Sequence, residues 1–346
     1  MLGHKYSVSL LLMKRIWLLF LLLVLIAADV FLGSVRLPFA DVWDALMGSN
    51  PEAFVYKIVW NFRIPKMLTA LLAGMALSVC GVQMQTLFRN PLADPYVLGI
   101  SSGAGLGVAF FVMGASVFPI LSTHPWLSHL GTAAFAWMGA LAVMLMVAAA
   151  SKRLKSNMGL LILGIMIGSA GSALISLLQY LSDAPALKQY VLWTMGSFSN
   201  VTGRRLVIMA ALCLAGLLIS IRNIKDLNVF LMGQSYAESL GLSTSRIRNR
   251  VFLATTLLAG SVTAFCGPIG FIGIAVPHLC RMIFGNANHR VLLPASALMG
   301  ACLMLVADIL SQMPGSQSVL PVNTVAALLG IPVILYVILK NKAVAL

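Results

Sequence analysis

Ten apolar runs of roughly twenty residues recur along the chain, each set off by charged residues or by Gly and Pro. They cover about 15–35, 64–84, 92–114, 130–150, 158–181, 204–221, 249–267, 270–284, 291–312 and 321–340. A hydrocarbon core about 30 Å thick needs roughly twenty apolar residues of helix. Only a helix or a closed barrel satisfies its own backbone there. The pattern predicts an all-α polytopic membrane protein with about ten transmembrane helices. Ten such spans take ~200 residues of a 346-residue chain, which leaves no room for a separate soluble domain. Residues 1–346 therefore read as a single transmembrane domain. The chain is 60% hydrophobic and 9% charged, whereas a soluble chain has about 25% charged residues. That excludes a water-soluble enzyme and a disordered chain, and the outer surface is expected to meet membrane lipid.

The net charge is +14, from 23 Lys+Arg and 9 Asp+Glu. In a soluble protein this excess would suggest nucleic acid. In a membrane chain it marks cytoplasmic loops, and no nucleic-acid partner is expected. With the N-terminus placed in the cytoplasm, 16 of the 23 basic residues fall inside, among them Lys152, Arg153, Lys155 and Lys342. The other 7, Arg36, Lys57, Arg63, Lys66, Lys188, Arg204 and Arg205, fall outside. This predicts a multi-pass protein of the cell inner (cytoplasmic) membrane with both termini cytoplasmic. Lys14-Arg15 ahead of Ile16–Ala28 also fits the start of a signal peptide. The apolar run continues through Val30-Phe31-Leu32, however, so a retained first helix is expected, with Met13 an alternative start to Met1. The five cysteines, Cys80, Cys213, Cys266, Cys280 and Cys302, sit in apolar runs without CxxC spacing. They read as small buried hydrophobes, with no metal site.

Residues 71–81 read LLAGMALSVCG and residues 257–267 read LLAGSVTAFCG, identical at 6 of 11 positions. The same offset of 186 pairs Pro91 with Pro277 and Gly99 with Gly285. The copies lie five spans apart and so cross the membrane in opposite directions. Inverted repeats are a transporter signature, and the halves fall at about 63–180 and 249–340.

Several segments interrupt the spans. In Asn90-Pro91-Leu92-Ala93-Asp94-Pro95, two prolines break the helix and Asn and Asp can cap the freed backbone groups. Gly99, Gly103 and Gly107 follow at a spacing that lets helices approach closely, and Gly164 and Gly168 repeat it. Gly267-Pro268-Ile269-Gly270-Phe271-Ile272-Gly273 precludes a continuous helix, and Pro277-His278 enters the short span after it. Residues 222–248 form the largest cytoplasmic loop, in which Leu227, Phe230, Leu231 and Leu240 alternate with polar residues. Gly233 and Gly241 bracket a short helical piece there, suited to a protein partner. Asp308 is the clearest acidic residue within a late span, and a structural hydrogen bond is expected of it. The sequence has no GxxxxGK[ST] phosphate loop and no catalytic triad pattern, so any ATP that drives transport is hydrolysed by another chain.

In order along the chain, Arg63-Ile-Pro-Lys66, Asn90 to Pro95, Gly99-Ile-Ser-Ser-Gly103-Ala104, Gly233-x-x-x-Ala237-x-x-Leu240-Gly241, Gly267 to Gly273, Pro277-His278 with Arg281, His289-Arg290, Ala307-Asp308 and Leu320-Pro321-Val322 resemble the FecCD-type permeases of ABC importers. That resemblance implies a permease without enzymatic activity that forms the translocation pathway for a metal chelate. Iron-siderophore is the leading cargo, with haem or cobalamin (vitamin B12) the alternative and an ion-coupled secondary transporter a remote one. It implies a homodimer with a second copy of the chain, two ABC ATPase subunits that use ATP and Mg, and an extracytoplasmic substrate-binding protein. This chain itself is expected to bind no cofactor. By the same resemblance, Gly233, Ala237, Glu238, Leu240 and Gly241 form the loop that couples to the ATPase. Arg63 and Lys66 form an exposed basic pair that docks the binding protein. Asn90, Leu92, Ser156 and Asn157 surround the cytoplasmic gate. Pro91, Pro95, Gly99, Gly103, Gly107, Gly267, Gly270, Gly273, Pro277 and Asp308 serve structure and helix packing. The chain departs from the family pattern where Gln312 replaces an Arg often found after the intramembrane Asp. A second departure is Asn323, which stands where Gly is common and is expected to take positive φ.

Overall fold

The computed structural model of the chain describes residues 2–49, 53–114, 125–154, 156–313 and 319–340. Met1, Lys155 and Lys342 of the readings above lie outside them. Ten helices occupy the ten apolar runs. They are α1 (Leu2–Phe31), α2 (Ile64–Phe88), α3 (Ile100–Gly114), α4 (Pro125–Ala150), α5 (Asn157–Leu181), α6 (Gly203–Arg222), α7 (Thr244–Cys266), α8 (Ile272–Phe284), α9 (His289–Ser311) and α10 (Val322–Lys340). Among the described residues, seven helical segments are long and apolar enough to cross a membrane, while Ile100–Gly114, Ile272–Phe284 and Val322–Val337 are shorter. The described residues contain no strand. Short helices at Phe39–Leu46, Phe54–Ile58, Ala184–Thr194, Ile224–Phe230 and Gln234–Ser239 lie between the spans.

α2 is the axis of the bundle. Every residue from Ala76 to Phe88 is buried, including the polar Ser78, Gln83, Gln85 and Thr86. α1 is peripheral: Ile16, Trp17, Phe20 and Leu23 are exposed on what would be a lipid-facing surface. α2 packs on α9 at Gly74, where an added Cβ would lie 2.2 Å from the Gly300 carbonyl oxygen. α3 packs on α4 in the same way, through Gly103 against Gly139 and Gly107 against Phe135. Gly99 stands before α3 in a left-handed conformation (φ 85°). It meets Val143 of α4, as Gly103 does, and also Gly164 and Gly168 of α5.

The two repeat copies run antiparallel. Thr255, early in α7, bonds the sulfur of Met84 late in α2, and Ala259, one turn later, bonds Cys80, one turn earlier. Equivalent glycines take equivalent roles: Gly74 meets α9, and Gly260 meets Ala140 of α4, itself five helices before α9. The copies differ where their sequences differ. α2 runs on past Gly81 to Phe88, because helix-compatible residues follow. α7 contains a π turn at Thr256–Gly260 and stops at Cys266, since Gly267 takes φ 81° and Pro268 follows.

Candidate functional site

At the end of the bundle where α1 finishes, the two basic residues of the first block turn inward. Arg63 is 8% exposed. One of its amino groups donates to the Val30 carbonyl at 2.7 Å and to the Phe31 carbonyl at 3.1 Å, and the other donates to the Val35 carbonyl at 2.7 Å. It thus caps the free carbonyls at the end of α1. Lys66 forms an ion pair with Asp308 at 3.0 Å. Gln312 donates one amide to Asp308 at 3.0 Å and to Asp29 at 3.2 Å. This corrects the expectation of an exposed basic pair. The guanidinium stabilises a helix end and the ammonium neutralises a buried carboxylate, leaving only the edge of Lys66 exposed. A cleft of about 280 Å³, lined by Val35, Phe62, Arg63, Lys66, Ser199 and Gln312, opens beside them.

The breaks that follow α2 and α7 pack against each other. α2 ends at Arg89, which is left-handed (φ 49°). Asn90 accepts from the Leu92 amide at 2.9 Å, and Asp94 caps the 3₁₀ turn Pro95–Leu98 through the Tyr96 amide at 2.9 Å. Pro91 and Pro95 cannot donate, and these turns spare them the need. The break after α7 rests against this region. A Cβ on Gly81 would lie 1.8 Å from the Gly273 carbonyl oxygen, and Gln85 donates to that carbonyl at 3.3 Å. The Tyr96 hydroxyl bonds Thr263 at 3.1 Å and accepts from the Ile269 amide at 3.3 Å. His278 bonds the Pro91 carbonyl at 2.9 Å, so the residue after the second copy's proline holds the backbone of the first copy's proline. Among the described residues no three His, Cys, Asp or Glu side chains converge to hold a metal ion.

The loop between α6 and α7 folds as a platform. Gly233 (φ 116°) and Gly241 (φ 80°) bound the helix Gln234–Ser239. Both conformations are left-handed and favour glycine. Glu238 accepts from Gln234 at 3.1 Å and from Thr244 at 3.0 Å, bracing the helix against the start of α7. Leu227, Phe230 and Ala237 are buried beneath it, whereas Met232, Tyr236 and Leu240 are exposed. Ala237 therefore supports the platform from below, and the apolar residues on its open surface are Leu231, Met232, Tyr236 and Leu240.

The residues assigned to the gate converge on the end of α2. Asn157 donates to the Leu87 carbonyl at 3.0 Å, Ser156 caps α5 and Leu92 is exposed. Arg248 bonds the Ser151 carbonyl, tying the start of the α4–α5 loop to the first turns of α7. Toward the opposite end, a cavity of about 610 Å³ has Lys188, Gln189, Trp193, Asn200, Arg205 and Phe265 in its lining.

Sequence reasoning missed Asp29, a carboxylate hidden in the first apolar run, and Asn228 and Thr86, the two partners of His289. Asn228 bonds the His289 ring at 2.9 Å and the ring bonds Thr86 at 2.8 Å. An acidic residue within an apolar run was the available signal for Asp29; nothing local marks the other two. Asn323 is also corrected. It is helical, at the start of α10, and its side chain accepts from the Gly270 amide at 3.1 Å. It thus caps the broken segment and takes no positive φ.

The FecCD transport family model matches residues 21–340. The chain is 38% identical over 328 residues to the hemin transport system permease protein HmuU of Yersinia pestis, covering 94% of this chain and 95% of that one. It is 38% identical over 285 residues to the vitamin B12 import system permease protein BtuC of Escherichia coli, covering 82% and 84%. Among solved structures, a metal-chelate type ABC transporter in an inward-facing conformation superposes with a TM-score of 0.81 at 28% identity, over 94% of this chain and 98% of that one.

Proposed function

The chain belongs to the FecCD transport family, and from that premise we propose that it is the permease subunit of an ATP-driven importer for a metal chelate. The observation that carries this reading is the platform at Gly233–Gly241. The glycine-bounded helix and the residues flanking it present Met232, Tyr236 and Leu240 close to Arg89 at the end of α2, where a partner's movement reaches the helix break at 89–94 directly. The chain has no nucleotide motif of its own, so a separate ABC ATPase, using ATP and Mg, sits on that surface.

Two copies of the permease pair with two ATPases. An extracytoplasmic binding protein delivers the chelate to the opposite end, over the cleft that Lys66 and Gln312 line. Exposed Met158, Ile162, Ile165 and Met166 along α5 support pairing with a second copy. The basic excess on one side supports placement in the inner membrane with both termini cytoplasmic. The named relatives handle hemin and vitamin B12; iron-siderophore has no advantage over these two as cargo. Asp308 is held by Lys66, which supports a structural role and not ion coupling.

The test is reconstitution of the permease with its ATPase in proteoliposomes, assayed for ATP-dependent uptake of haem, cobalamin and a ferric siderophore in turn. Uptake of one of them that stops without ATP establishes both mechanism and cargo. Uptake driven by an ion gradient without ATP overturns the reading.

A further inference from the structure

We propose that the groove between α1 and the α8–α9 junction is a binding site for one anionic phospholipid. The groove has a volume of about 520 Å³ and is lined by Lys14, Trp17, Leu18, Phe20, Leu21, Val24, Ile283, Phe284 and Met299. Below Lys14 the lining is entirely apolar, and Trp17, Phe20, Leu21 and Val24 are exposed along it. Such a surface suits acyl chains lying lengthwise beside α1.

The upper end of the groove is cationic. The Lys14 ammonium donates to the Ile283 carbonyl, and the Arg15 guanidinium donates to the Arg290 carbonyl at 3.4 Å. Lys14 lines the groove and Arg15 is the next residue of α1; the carbonyl bonds hold both cations without neutralising either, and neither has a carboxylate partner among the described residues. Arg290 adds an exposed cation at the same end. Asp226, the acid of the neighbouring short helix, is already paired with Arg250 at 3.3 Å. A phosphate meets this demand: it accepts charge-assisted bonds from both residues while its chains fill the apolar trough. A zwitterionic headgroup carries its own cation beside the phosphate and so balances less of this charge. Basic pockets between transmembrane helices are a recognised setting for anionic headgroups.

The test needs no transport assay and so is independent of the proposed function. The full chain in proteoliposomes is titrated with brominated phosphatidylglycerol or brominated phosphatidylcholine, and tryptophan emission is compared with that of Trp17→Phe to isolate the Trp17 signal. The expected result is half-quenching of Trp17 by the anionic lipid at roughly tenfold lower mole fraction than by the zwitterionic one. Lys14→Gln/Arg15→Gln removes the preference, whereas Lys14→Arg/Arg15→Lys, which keeps the charge, retains it. Equal quenching by both lipids in the unaltered chain overturns the proposal, whether or not the glutamine variant folds. A preference that survives the loss of both charges also overturns it.

Discussion

Lys66 and Asp308 lie 3.0 Å apart, joining the start of α2 to the end of α9 at the same end of the bundle. Asp308 is fully buried and the Lys66 side chain is 14% exposed, so each charge depends on the other. Asp308→Asn leaves an ammonium without its counter-charge and should cost about 3 kcal/mol, read as a lower unfolding midpoint in detergent. Lys66→Met/Asp308→Leu removes both charges and should recover most of that loss. If Asp308→Asn keeps full stability and abolishes uptake, the residue has a transport role and the structural assignment fails.

Leu240 and Ala237 separate contact from support on the platform. Leu240 is 57% exposed and Ala237 is fully buried. Leu240→Asp should leave the thermal midpoint unchanged while ATP hydrolysis in the reconstituted complex no longer responds to cargo. Ala237→Trp overfills the packing beneath the helix, which typically costs 1–3 kcal/mol, and should lower the midpoint together with uptake. Normal uptake in both variants removes the platform from the coupling route.

Gly81 and Gly159 form a contrast in steric demand. A methyl on Gly81 would overlap the Gly273 carbonyl, whereas the nearest neighbour of one on Gly159 is 3.7 Å away. Gly81→Ala should therefore part α2 from α8 and reduce the yield of folded protein severalfold. Gly159→Ala should be neutral or stabilising by up to about 1 kcal/mol, from helix propensity. Paired thermal-shift and gel-filtration measurements decide the contrast.

Asn323 tests capping against backbone conformation. Its side chain holds the Gly270 amide at 3.1 Å, and losing that acceptor should cost about 1–3 kcal/mol. Asn323→Ala and Asn323→Gly should be destabilised alike. If glycine restores stability, a left-handed backbone was the requirement after all.

Local chemistry made part of this protein legible in the sequence. Ten apolar runs become ten helices because the bilayer sets their length and their composition. The breaks at Pro91–Pro95 and Gly267–Gly273, and the short helix between Gly233 and Gly241, follow from residues that cannot donate or that readily take positive φ. The repeat could be read as two antiparallel helices because an odd number of crossings reverses direction. Partnership was another matter. Arg63 and Lys66 are two cations on one loop in the sequence, yet one caps α1 and the other pairs with Asp308. Ala237 belongs to an apparent contact motif and is buried beneath it. Asp29 gains its role only once α1 lies beside α9. Burial and pairing depend on which distant segment arrives at a side chain, and that is decided when helices far apart in the chain pack together at the glycines.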